Sequence, residues 1–192
     1  MINTRSELKE YIAADRDALG LVYPPKTAVQ RRLLHNIIFR YQKTLRTYEY
    51  YNSLKKQSPH NIFIVAARLY WKSKYSRLGL KLGYDIPPDV FGKGLNIHHA
   101  GTIIVNPDAR IGENCNIRPG VVIGVSGSSD KAPRLGNNIY IGAGAKIIGD
   151  IVIADNIAIG ANAVVNKSFE EEGITIAGIP AVKVGIRKGD LK

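Results

Sequence analysis

Apolar residues return every six positions through the second half of the chain: Val105, Ile111, Ile117, Ile123, then Leu135, Ile141, Ile147, Ile153, Ile159 and Val165. Glycine directly follows several of them, as in Ile111-Gly112, Ile123-Gly124, Leu135-Gly136, Ile141-Gly142 and Ile159-Gly160; in Ile147-Ile148-Gly149 it is offset by one. The step from Ile123 to Leu135 is twelve residues and keeps the phase, and it contains Gly127–Pro133, a loop by composition. A six-residue period suits neither an α-helix nor an alternating strand. It predicts a parallel β-helix of hexapeptide repeats, three repeats to a coil, with each aliphatic residue pointing into a triangular core. The small residue beside it fits a corner where a Cβ would be crowded. Such coils are left-handed, a hand taken from the repeat type and not from the usual crossover rule. A glycine-rich β-sandwich is the competing fold, and ten apolar positions in one phase argue against it.

Residues 1–82 carry a different pattern, with polar and apolar positions interleaved at helical spacing. Ser6–Ile12 opens a first helix, with Thr4 and Glu7 spaced as a capping box. Pro24-Pro25 ends that section, a second helical region runs from Thr27 to Lys56, and a third runs from Asn61 to Leu82 after Ser58-Pro59. The expected organisation is a helical region over 1–84 and a β-helix over 85–192, interrupted by a loop at 124–134. Ile176–Val182 would close the far end of the stack, since a repeat array needs caps.

The chain has 192 residues, a single cysteine and a formal net charge of +11. No stretch approaches the ~18 apolar residues that a bilayer span needs, and the first residues lack a signal-peptide core. Cys115 excludes an intrachain disulfide, fits a reducing cytoplasm, and reads as a small buried side chain within a repeat. Nucleic acid is not expected as the acidic partner, because no nucleic-acid-binding signature is present. Adjacent histidines and one cysteine, without further ligands at suitable spacing, predict no metal site.

Of the four histidines, His35 lies in the basic helical region and His60 beside a proline, both read as structural or surface residues. His98 and His99 stand where the repeats begin and no repeat position calls for an imidazole. Histidine is the side chain suited to take up a proton near neutrality, so this pair is a candidate for general acid–base chemistry. Lys183 and Arg187 follow Gly178-Ile179-Pro180; they read either as charge-assisted donors to phosphate groups or as an ordinary basic tail.

Gly94–Gly101, Ile141–Lys146, Ile159-Gly160-Ala161 and Ala177–Ala181 together resemble the serine acetyltransferase family of hexapeptide-repeat acyltransferases. The resemblance covers residues 85–187 and implies an acetyl-CoA-dependent O-acetyltransferase with acetyl-CoA as the donor. It implies His99 as general base, Asp85 as the carboxylate that orients it, and Gly142, Ala143 and Ala161 along the pantetheine arm. It also implies a homotrimer, since a groove between neighbouring prism faces calls for three-fold symmetry, with pairing of trimers left open.

Three departures bear on the acceptor. His98 stands where the family has aspartate, Lys131-Ala132-Pro133 where it has Arg-His-Pro, and Arg16-Asp17-Ala18 matches Arg-Asp-Pro-Ala only faintly. Asp17, His98 and Lys131 are therefore the candidate acceptor contacts, with Asp17 read alternatively as a solvated helix carboxylate. Loss of ionic partners weakens recognition of a zwitterion. The expectation drawn from this is a sugar hydroxyl of a surface-polysaccharide precursor, with L-serine as the alternative and a catalytically inactive scaffold as the second alternative. The basic, aromatic stretch Ile62–Tyr75 leaves a peripheral membrane contact open beside packing on protein. The chain's end at Lys192, in place of a tail ending in isoleucine, predicts no complex with the sulfhydrylase of cysteine biosynthesis (cysteine synthase complex).

Overall fold

The structure, a computed structural model, describes residues 1–21, 37–127, 129–187 and 189. The Pro24-Pro25 break, the first ten residues of the second helical region with His35, and the last three residues lie outside that set. Three helices are described: α1 (Arg5–Ala18), α2 (Ile37–Gln57) and α3 (Ile62–Leu82). Thr4 caps α1 as its spacing predicts, accepting from Glu7 N at 3.1 Å while the Glu7 carboxylate accepts from Thr4 N at 3.0 Å. Asn61 caps α3, and Gly83 ends it in a left-handed conformation (φ 79°) that a side chain would strain.

Among the described residues fourteen strands follow, most of two or three residues, from β1 (Tyr84–Asp85) to β13 (Ile174–Gly178) and β14 (Ala181–Ile186). The sheets run β1-β3-β6-β9-β12, β4-β7-β10 and β2-β5-β8-β11-β13-β14, parallel except for the closing β13–β14 pair. From β4 to β12 successive strands visit the three sheets in turn, so the chain winds as a three-sided parallel coil. Ile141 lies beside Ile159, 18 residues on, while Ile117 lies beside Ile141, 24 residues on, because the loop near Ser126 is inserted in that turn.

Every one of the ten phased aliphatic residues is buried, at 5% exposure or less. Their column is the core, and small residues let its walls come together: a Cβ on Gly142 would stand 2.5 Å from Ala161 N. At one corner Asn114, Asn138 and Asn156 take positive φ and hand a hydrogen bond from each side-chain amide to the next at 3.0 Å. Cys115 is fully buried among these apolar walls, and burial pushes its thiol up, away from the reactive thiolate.

The helices join the coil through Arg46 on α2, which has no solvent exposure. Its guanidinium donates to the Asp15 carboxylate (2.8 and 3.3 Å), to Glu49 (3.1 Å) and to the carbonyls of Phe91 (2.9 Å) and Gly92 (2.6 Å). Asp15 also accepts from Leu95 N at 2.9 Å and Glu49 from Asp89 N at 2.8 Å. Tyr41, Tyr75 and Tyr84 pack beside this network, with centroids of Tyr41 and Tyr84 5.0 Å apart. The outer face of α3 stays open, with Phe63 80% and Leu80 84% exposed. Among the described residues no helix is long and apolar enough to cross a membrane.

Removing Arg46 leaves two carboxylates buried without a cation, a loss of about 3–5 kcal/mol. Arg46→Ala is expected to lower the melting temperature by roughly 10 °C, at about 2–4 °C per kcal/mol for a chain of this size. A drop under about 2 °C in a thermal melt would show that this network does not hold the helices to the coil.

Candidate active site

One corner of the coil, where the β2-β5-β8-β11 sheet turns into the β1-β3-β6-β9-β12 sheet, gathers most of the chemistry. His98 and His99 follow β2 (Asn96–Ile97) there. The next levels bring Arg118 and then Gly142 to the same corner: His98 N donates to Ile117 O at 3.4 Å, Arg118 N to Ile141 O at 3.1 Å and Gly142 N to Ile159 O at 2.8 Å. Gly120 N to Thr102 O (2.6 Å), Gly144 N to Pro119 O (2.9 Å) and Asn162 N to Ala143 O (2.8 Å) continue the column. Ala143 and Ala161 face outward on it. The corner therefore carries a histidine pair at one level and a run of small, exposed residues at levels beyond it.

The His98-His99 turn is held from below. Tyr84 Oη donates to His99 O at 2.9 Å, and Gly101 N donates to Leu82 O at 2.9 Å, so the end of α3 and β1 both fix it. Gly101 lies against Pro119, which a Cβ would meet at 2.9 Å. The two imidazoles sit 5.5 Å apart, His99 exposed and His98 half-buried. Desolvation, then the Arg118 cation and His99, push the His98 imidazole below its ordinary value.

Asp85 lies on β1, exposed, with Ile104 beside it on β3. β3 is the strand that the His99 turn leads into, so the structure sets Asp85 and His99 on neighbouring segments. Among the described residues no hydrogen bond or ion pair joins them. Asp85 is also close enough to Tyr75 to help burial push that phenol up to about 12.

The other predicted contacts are spread more widely. Lys131 is exposed on the loop and pairs with Asp150 at 3.2 Å, while Ala132 beside it is 6% exposed. Asp17 is exposed and engaged by Arg16 at 2.6 Å. Its neighbour Ala18 accepts from Asn96 Nδ2 at 2.8 Å, which places the end of α1 against the strand that leads to His98. Lys183 pairs with Glu171 at 2.6 Å. Arg187 is not brought to the histidine corner, since its guanidinium donates to Asn138 O at the opposite corner of the same sheet. Among the described residues no three His, Cys, Asp or Glu side chains are grouped to hold a metal ion. Arg118 and Tyr84 were not singled out from the sequence; an arginine one coil level above a histidine pair is a signal that the repeat phase alone could have supplied.

No protein-family model matches the chain. It is 38% identical over 104 residues to the serine acetyltransferase of Synechococcus elongatus, a match covering 53% of this chain and 42% of that protein. It is 37% identical over 127 residues to that of Staphylococcus xylosus, covering 61% and 58%. The chain thus spans about half the length of these curated relatives. Among solved structures, the Brucella abortus serine acetyltransferase in complex with coenzyme A superposes with a TM-score of 0.72 at 28% identity, over 96% of this chain and 70% of that one. The Neisseria gonorrhoeae enzyme in complex with serine gives 0.70 at 27%, over 94% and 70%. These findings overturn the expectation of a sugar hydroxyl as acceptor. That expectation rested on His98, on Lys131-Ala132-Pro133 and on the faint match at Arg16-Asp17-Ala18, whereas the likeness to serine acetyltransferases runs through helices and coil alike.

The displaced imidazole offers a direct check. With a depressed folded-state pKa, His98 binds fewer protons folded than unfolded, so stability it contributes is lost as pH falls below about 6.5. An NMR titration is expected to place its midpoint below 6.5 and to find it raised in Arg118→Gln. A midpoint at or above 6.5 in the wild-type protein would contradict the site's electrostatics.

Proposed function

We propose that this chain, which belongs to the serine acetyltransferase family, transfers an acetyl group from acetyl-CoA to the hydroxyl of L-serine, with His99 as general base. The observation that carries the reading is the exposed imidazole of His99 at the same corner of the coil as the small, outward residues Ala143 and Ala161. A base and a strip of small residues for an extended thioester arm are then adjacent.

In this reading the His99 imidazole takes the hydroxyl proton as the serine oxygen attacks the thioester carbonyl. The C–O bond forms, the tetrahedral adduct collapses, and the C–S bond breaks. The CoA thiolate leaves with the proton held by the imidazolium, giving O-acetylserine and free thiol. Asp85, moved into contact when the site is occupied, steadies the imidazolium and fixes its tautomer. Gly142 keeps the coil walls close enough for the arm to lie along backbone groups. Lys183 and Arg187 are assigned to the CoA phosphates, and Asp17, His98 and Lys131 to the acceptor side.

The same proposal includes a left-handed sense for the coil, a division into a helical region over 1–84 and a coil domain over 85–192, and a homotrimer whose grooves lie between neighbouring coils. Thiol release separates the proposal from an inactive scaffold. Wild-type protein is expected to release CoA thiol and form O-acetylserine with L-serine, and His99→Ala is expected to cut kcat by about 10²–10⁴ with an unchanged thermal melt. A loss smaller than about tenfold, or no O-acetylserine from the wild-type chain, would overturn it.

A further inference from the structure

We propose that Arg118 is the residue that binds the acceptor's carboxylate, a specificity-determining cation for an amino-acid substrate. The inference rests on the transfer to L-serine proposed above. Arg118 stands one coil level beyond His98 at the histidine corner, through the backbone bonds already described. Its guanidinium carbon lies 5.5 Å from the centre of the Tyr140 ring. Its Nε is shut off from solvent and, among the described residues, has no hydrogen-bond partner. No carboxylate lies within ion-pair distance of it among those residues.

The contrast with Arg46 is instructive. That guanidinium is buried with two carboxylates and two carbonyls on its donors. Arg118 is half-buried, its Nε has no hydrogen-bond partner among the described residues, and its cation is felt at the His98 imidazole. A shielded donor without a partner is a standing cost that an incoming acceptor removes after a small rotation of the side chain. A planar carboxylate matches the guanidinium fork. The position also favours the acceptor over the donor, because CoA keeps its phosphates at the far end of a long arm from the reacting thioester. The loop position where the family has arginine carries Lys131, whose ammonium has no planar fork. Lys131 there is exposed and held by Asp150.

The test compares L-serine with L-serinamide, which keeps the hydroxyl and amine but has no carboxylate. Initial rates at saturating acetyl-CoA are measured for wild type, Arg118→Gln and Arg118→Lys. The wild-type preference for L-serine, as a ratio of kcat/KM values, is expected to fall at least about tenfold in Arg118→Gln through a raised L-serine KM, with Arg118→Lys between the two because an ammonium lacks the fork. Equal losses on both acceptors, or an unchanged ratio, would overturn the role. A second measurement does not depend on turnover: L-serine, but not L-serinamide, should move the His98 imidazole resonance in wild type and fail to do so in Arg118→Gln. If the wild-type resonance stays still, the carboxylate site is wrong. If it moves while no O-acetylserine forms, the site stands and the proposed reaction falls.

Discussion

A single guanidinium sealed from water sets the relation between the two halves of this protein. Arg46 fills its donors from α1, from its own helix and from the first turn of the coil, at Asp15, Glu49, Phe91 and Gly92. The partners span 77 residues of chain, from 15 to 92. Such a group is worth little as a net source of stability, because desolvating three charges offsets most of their attraction. What it supplies is geometry. A small misplacement would leave charges unpaired in the interior, so α1, α2 and the coil start have one relative arrangement. Burial pushes the Glu49 carboxyl up, against the pull of the Arg46 cation beside it.

That arrangement reaches the histidine corner by short steps. Asp15 holds Leu95 N, and β2 begins at the next residue, with His98 one residue beyond its end. From the other side, α3 packs on α2, ends at Gly83, and delivers Tyr84 to the carbonyl of His99. The coil above is packed for a separate reason: its aliphatic column is filled at every sixth residue, and Gly112, Gly136 and Gly142 leave no room for an added carbon atom. The His99 side chain is thus carried between a charged hub and a packed solenoid.

The coil was legible in the sequence because its rule is local and repetitive. Ile111, Ile117 and their successors report a six-residue step without any knowledge of contacts, and the observed strands follow that phase, with the one long turn where the loop interrupts it. The capping box at Thr4 and the extent of the third helix, Asn61 to Leu82, were equally local. Arg46 was not legible, since a cation amid α2's mixed residues looks like a solvated face. Only partners 31 and 45 residues away in sequence reveal its burial. The same blindness favoured Asp17 over Asp15 as the notable carboxylate of α1, although Asp15 is the buried one. His98 and His99 stood out as imidazoles that no repeat needs, whereas nothing local in the sequence marked Arg118, which stacking sets one coil level from His98. The acceptor was misjudged for a related reason: three substituted positions weighed more than a likeness distributed over the whole chain.

The most direct measurement is a crystal structure of the protein with L-serine and CoA bound together. The account predicts the serine hydroxyl oxygen within hydrogen-bond reach of the His99 imidazole, about 2.6–3.2 Å, and facing the CoA sulfur. Serine bound at any other place, with its hydroxyl beyond about 5 Å of His99 and no water between them, would contradict it.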